Sequence, residues 1–402
     1  MKNGRNRVLL ILALLLISIT TVSGCTPVGS QIAQGWAGGV VSDGTIFVGS
    51  MEGKLVALGV SDGSLRGDPV TLVAQAQSSG FGCVPTGSSA VAIYGSPVVD
   101  GDLVFIGGYD GKVRAYLFES GRLRAEPRWI SRQGDIGGSI IGGLAVADGR
   151  IYFGASDGKV YALDAVDGHR LWTFETGGKI WSTPTVEGDT LYIGSFDGKL
   201  YALDVFAKNN EERLRWEQPF ETEGTIVSAP VVSGGMVYIG SFDRRVYAVD
   251  ATSGGEVWRF PETDDEVDTP IGWFWASLLV HNGAVYAPNL DGRVYVIDAT
   301  SGNRISNFDL EGPISSAPVL VNDRVIVATT STNRAKQEGK VFALDTTSRQ
   351  QTMLQDIEES IHAPLFADGT TVYVHTMGNF LYAIDTETGA GRKYTLSAET
   401  SE

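Results

Sequence analysis

One pattern returns along most of the 402-residue chain: an apolar stretch, a tight turn with an acidic residue and Gly, an alternating stretch ending in Asp, and another Gly turn. The clearest copies are LYIGSFDGKLYALD (191–204) and VYIGSFDRRVYAVD (237–250). Related segments are IYFGASDGKVYALD (151–164), VYAPNLDGRVYVID (285–298) and VYVHTMGNFLYAID (372–385). Weaker copies are IFVGSMEGKLVALG (46–59), LVFIGGYDGKVRAY (103–116) and VIVATTSTNRAKQEGKVFALD (325–345), the last with an inserted turn. Taking Glu52, Asp110, Asp157, Asp197, Asp243, Asp291, Glu338 and Gly378 as equivalent gives spacings of 58, 47, 40, 46, 48, 47 and 40. Periods in this range mark a repeat architecture whose units cannot bury their faces alone.

Each unit reads as four short antiparallel strands. The first resembles IWSTPTV (180–186) or IVSAPVV (226–232). The Asp-Gly pair joins the second strand to the third, a hairpin signal because the turn needs positive φ, which Asn, Asp and Gly tolerate. The fourth begins after Asp167-Gly168 or Ser253-Gly254 and ends near Trp172, Trp216 or Trp258. Separate β-sandwiches do not repeat every four strands, and no helical periodicity of useful length follows residue 25. The expectation is an all-β, eight-bladed β-propeller of four-stranded antiparallel blades, whose first and last blades touch to close the ring.

Ahead of the repeats stand Lys2, Arg5 and Arg7, an apolar run over 8–19, and small residues before Cys25. That order is a secretory signal; twelve residues fall short of the roughly 20 a spanning helix needs. Val22-Ser23-Gly24-Cys25 resembles a bacterial lipobox, so the expected divisions are a signal peptide over 1–24, a lipidated Cys25 with a short tether to 34, and one propeller over 35–402. Acyl chains on Cys25 would then supply the membrane affinity. Thr26 is no aspartate retention signal. The expected address is the outer membrane if the source has one, otherwise the outer face of the cytoplasmic membrane. Losing three of the 31 basic residues leaves a formal charge of −19 against 47 acidic ones, which argues against nucleic acid as a partner. Cys83 is the other cysteine, so no disulfide framework is expected. A monomeric propeller must therefore rest on its core, for which a 43% hydrophobic composition is ample.

The segments ALDAVDGHRLW (162–172) and AVDATSGGEVW (248–258) resemble the tryptophan-docking repeat of PQQ-repeat (quinoprotein) propellers. The resemblance implies that Trp172, Trp216 and Trp258 pack against the next blade, with Gly168 and Gly254 as structural partners. It decays at Ser306 and Lys393, where blade contacts should be differently filled. Dehydrogenases of this family are similar in repeats, but hold their quinone with an adjacent-cysteine disulfide, a Ca²⁺ site and a catalytic Asp. Here Cys83 stands alone, His169, His281, His362 and His375 show no metal-ligand spacing, and no DxDxDG-type loop is present. No catalytic, cofactor-binding or metal residue is assigned, and the repeat does not by itself imply the cofactor. A lipid-anchored propeller of this kind is most similar to the scaffold lipoproteins of outer-membrane protein assembly, which implies an envelope or cell-surface protein as partner. The alternatives are a carbohydrate or small-ligand binder using the axial channel mouth, and a PQQ-dependent dehydrogenase.

Departures from a repeat are not needed by the fold and gather on one functional face. Turns between second and third strands share a face with the blade-to-blade connections. That face would collect the long connection over 75–92 with Phe81, the acidic run over 262–268 with Asp264 and Asp265, and the turn over 330–338. Trp273, Phe274 and Trp275 follow the acidic run, and Trp181 stands in the equivalent strand of the fourth blade. Aromatics usually serve cores, so packing between sheets is the plain expectation. The partner-face alternative comprises Phe81, Asp264, Asp265, Trp273 and Trp275. The acidic run reads as a solvated charge run rather than a cation site.

Overall fold

Two strands of every repeat are apolar nearly throughout because both their faces are covered. In Thr190–Gly194 and Lys199–Asp204 almost every side chain is buried, and the same holds for Met236–Gly240 and Val246–Asp250. The inner strand before them is short and half-buried, and the outer strand after them is partly exposed, as in Arg304–Asp309. The computed structural model describes residues 35–74, 89–263, 269–331 and 337–397. Cys25, Phe81, Cys83, Asp264 and Asp265 lie outside the described residues.

The described residues form eight four-stranded antiparallel sheets, each made of consecutive strands in sequence order. The blades span 39–71, 98–130, 145–175, 185–221, 231–260, 279–309, 319–357 and 366–395. Inner strands of successive blades lie side by side around the axis, tied by bonds such as Ser182 Oγ to Ser228 O (2.9 Å) and Thr185 Oγ1 to Pro230 O (2.6 Å). The core is correspondingly divided into clusters between neighbouring blades: Tyr238, Trp258, Phe274 and Tyr295 anchor the one between blades five and six. Propeller cores have this form because each sheet buries its faces only against its neighbours.

The Asp-Gly turns differ from a two-residue mirror-image hairpin. In the fourth blade Gly194 pairs with Leu200. Within the turn Gly198 N–H donates to Ser195 O (3.2 Å), and only Gly198 takes positive φ. The Asp keeps ordinary backbone geometry because its side chain turns back to accept the N–H two residues on, Asp197 Oδ1 from Lys199 at 3.0 Å.

Among the described residues no strand is shared between the first and last blades, and side chains tie that joint. Met51 N–H donates to Asn379 Oδ1 (2.9 Å), Ser397 Oγ to Glu52 Oε1 (3.0 Å) and Arg392 Nη1 to Ser61 O (3.2 Å). Ile46, Val48, Tyr373 and Leu381 form the core of this joint. Within it His375 is wholly buried, its Nδ1 2.7 Å from Ala37 O and its Nε2 without a partner among the described residues.

Candidate partner-binding face

The outer-strand tryptophans dock by one rule. Trp216 Nε1 donates to Ala251 O and Trp258 Nε1 to Ala299 O, both at 3.0 Å, in the following blade. The ring lies on a glycine of that blade's last turn: a Cβ on Gly254 would meet the Trp216 ring at 2.6 Å, and one on Gly302 the Trp258 ring at 2.7 Å. Both glycines have positive φ, so the site needs glycine for two separate reasons. Gly168 receives a tryptophan the motif does not mark: Trp129 donates to Ala165 O (3.1 Å) and its ring covers Gly168. Trp129 escapes the motif because its strand, Arg122–Ile130, contains Pro127 and two register shifts. Its position 39 residues before Gly168, against 38 between Trp216 and Gly254, is the signal that could have found it.

Trp172 breaks the rule. The next blade has a longer loop there, and Arg213, itself buried, covers the ring with its guanidinium 4.0 Å from the ring centre. The carbonyl that would accept the indole, Val205 O, is taken by Arg150 at 2.8 Å. Trp172 Nε1 consequently has no partner among the described residues. At the sixth blade Ser306 stands where the tryptophan would, and the facing turn position is Arg349 at φ 57° instead of glycine. At the eighth, the outer strand lacks the bulge of the third, fifth and sixth, so Arg392 rather than Lys393 stands opposite Ala383. Tyr394 then fills the joint, its ring against Gly63 of the first blade.

The repeated turn carboxylates are committed to holding blades together. Oδ2 of Asp157, Asp197, Asp243 and Asp291 accepts the tyrosine hydroxyl four residues on, from Tyr161 (2.5 Å), Tyr201 (2.6 Å), Tyr247 (2.8 Å) and Tyr295 (2.8 Å). The same oxygen accepts an N–H of the connection arriving from the previous blade, at Gly137, Gly177, Glu223 and Ile271. Burial, aided by the adjacent carboxylate, pushes the Tyr161 hydroxyl up to about 12 and raises those of Tyr201, Tyr247 and Tyr295. The second blade replaces the tyrosine with buried Arg114, paired to Asp110 at 2.5 Å. In the eighth, Gly378 stands at the acidic position. Glu359 of the arriving connection supplies the missing carboxylate, accepting from Tyr382 (2.8 Å) and Lys393 (3.0 Å).

Turns and connections share this face, and its centre is aromatic. Of the three consecutive rings at 273–275 only Phe274 enters the core; Trp273 and Trp275 are half-buried at the surface. Both stack on Phe242 of the fifth blade, with centroids 4.7 and 5.6 Å apart. Trp181 is likewise half-buried, edge-on to Phe196 at 4.6 Å. Phe274 is thus buried in the core between blades five and six, Trp273 and Trp275 pack across the same boundary while staying partly exposed, and Trp181 packs within the fourth blade. On the opposite face Asp164, Asp167 and His169 come close enough to hold a cation, a proximity their spacing did not suggest. His169 Nδ1 is already 2.6 Å from Asp167, and that carboxylate also accepts the His169 N–H. This candidate cation site is empty.

The family model described as outer membrane protein assembly factor BamB matches residues 126–212 and 181–392, more than half of the chain. The chain belongs to this family. Among BamB proteins, that of Salmonella typhimurium (strain LT2) is 30% identical over 96 residues, which cover 22% of this chain and 24% of the relative. That of Yersinia pestis is 33% identical over 147 residues, 34% of this chain and 33% of the relative. These matches span about a quarter and a third of the curated relatives. Among solved structures, BamB from Moraxella catarrhalis superposes with a TM-score of 0.63 at 16% identity, covering 85% of this chain and 91% of its own. The computationally designed Ika8 protein gives 0.62 at 15%, covering 91% and 100%. Quinohemoprotein alcohol dehydrogenase from Comamonas testosteroni gives 0.60 at 15%, covering 76% and 67%. A BamB protein, a designed protein and an alcohol dehydrogenase at similar TM-scores show that these likenesses concern the fold alone.

Proposed function

We propose that the protein is a non-enzymatic, lipid-anchored scaffold of the cell envelope that holds a protein partner in outer-membrane protein assembly. The match to the BamB family over residues 126–392 carries this reading. The repeated acidic side chains agree with it, since they are spent in the joints between blades. Residues 1–24 are assigned as a signal peptide, Cys25 as the lipidated residue, 25–34 as tether and 35–402 as the propeller. The partner face is the face of connections and turns, with Trp273 and Trp275 from the arriving connection of the sixth blade and Phe81, Asp264 and Asp265 from its long segments.

Affinity purification from detergent-solubilised envelopes tests the reading. The protein is expected to retain an outer-membrane assembly component, and deletion of 75–92 to weaken that retention. An unchanged partner set after deletion removes the face assignment. Stoichiometric binding of PQQ with Ca²⁺ and turnover of an alcohol or sugar overturns the scaffold. Cys25→Ser is expected to move the protein from membranes to the soluble fraction; persistence in the membrane rejects the lipid anchor.

A further inference from the structure

At the start of every blade from the second to the eighth, a buried residue of the arriving connection enters the core: Ile93, Ile140, Ile180, Ile226, Phe274, Ile314 and Ile361. The residue after it, where the chain turns along the axis to begin the inner strand, is only partly buried in every one of these blades but the fifth, whose Val227 is buried. It is left at the mouth of the axial channel, on the face of the turns. With Trp36 ahead of the first blade, this position reads Trp36, Tyr94, Ile141, Trp181, Val227, Trp275, Ser315 and His362 around the ring. Five of the eight are rings, although their buried neighbours supply the packing the fold requires.

These rings meet across blade boundaries. Trp36 contacts Tyr94 of the second blade edge-on at 4.6 Å and His362 of the eighth at 6.3 Å. His362 in turn lies 2.9 Å from Ser315 Oγ of the seventh. Across the mouth, Trp275 lies against Phe242. The result is a partly exposed aromatic rim assembled from separate blades.

The chemistry of the rim selects its occupant. A glycan is bound chiefly by carboxylates and amides that pair its hydroxyls, and the turn carboxylates of blades three to six are already occupied by tyrosine hydroxyls and backbone N–H groups. A chain of net charge −16 disfavours phosphate or carboxylate ligands. Ring faces attract apolar and cationic side chains. Resting on the scaffold reading above, we infer that the axial mouth docks an extended, basic segment of the protein partner, its aromatic or aliphatic side chains alternating with Lys or Arg against Trp36, Tyr94, Trp181 and Trp275.

The test uses the propeller released from membranes and an acetylated dodecapeptide alternating Tyr and Lys, followed by calorimetry and tryptophan fluorescence. Binding is expected, with at least about a tenfold loss in the Trp36→Ala/Trp275→Ala double variant. Little change is expected for Leu171→Ser, an exposed outer-strand position. Trp275→Ser alone serves if the double variant fails to fold, with melting temperature as the control. Equal binding of a Ser-for-Tyr peptide, binding of chitotetraose in place of the peptide, or binding indifferent to these substitutions overturns the inference. The two levels separate in the envelope purification. A partner retained equally by the double variant rejects the mouth and leaves the scaffold, whereas no partner for the wild type rejects the scaffold itself.

Discussion

The joint between blades five and six and the joint that closes the ring between blades eight and one solve the same problem with different materials. In the first, Trp258 bonds a backbone carbonyl and lies on a glycine at positive φ, and nothing in that docking titrates near neutral pH. In the second, Tyr394 takes the place of the indole, and the buried ring of His375 reaches across to the backbone of the first blade. A joint repeated along the chain can be standardised. The closing joint must accommodate whatever mismatch the ring has accumulated, and here it does so with a buried ionisable group.

That contrast can be strained from several sides. Trp258→Ala removes a nearly buried indole and its bond to Ala299; a loss of about 3–5 kcal/mol is expected in denaturant unfolding. A loss below about 1 kcal/mol would mean that the tryptophan joint is decorative. Acidification should act on the other joint. Burial holds the His375 imidazole at about 4 against an ordinary 6.5, so the folded protein favours the neutral ring. Its contribution is complete above pH 6.5 and is lost as pH falls towards 4, amounting to about 3 kcal/mol. His375→Leu should flatten the stability profile over that window relative to wild type; an unchanged profile shows that the histidine does not govern it. Gly302→Ala places a methyl group against the Trp258 ring in a backbone region unfavourable to alanine and should cost about 2–3 kcal/mol. Arg349→Gly, at the equivalent turn facing Ser306, should change stability by less than about 1 kcal/mol. Ser306→Ala is the smallest expected effect, within about 0.5 kcal/mol of neutral or slightly stabilising, because its buried hydroxyl has no partner among the described residues.

Much of the architecture could be read before any coordinates, because each turn and strand repeats its reason locally. The Asp-Gly pairs, the double apolar strands and the spacing of about 40 to 58 residues all report contacts within a few positions of themselves. Legibility fell where a residue's meaning depends on another blade. Trp129 follows no local motif, yet docks as Trp216 does. Glu359 looks like one of two adjacent surface acids, and instead replaces the carboxylate absent at Gly378. Trp172 carries the full motif but meets an arginine, since the loop that receives it was lengthened.

The candidate face divides in the same way. Trp181, Trp273 and Trp275 were visible as aromatics, and sequence favoured burying them, because residue type alone cannot say which of three adjacent rings faces inward. Trp36, Tyr94 and His362 were not legible as a group: Trp36 meets Tyr94 only when the first two blades pack, and His362 only when the ring closes.

The sequence by itself determined the number of blades, their strand order and the family, because these follow from short-range patterning repeated eight times. Only the tertiary structure decided how each joint is filled and which side chains rim the axis. Those depend on distances between blades that no single repeat contains.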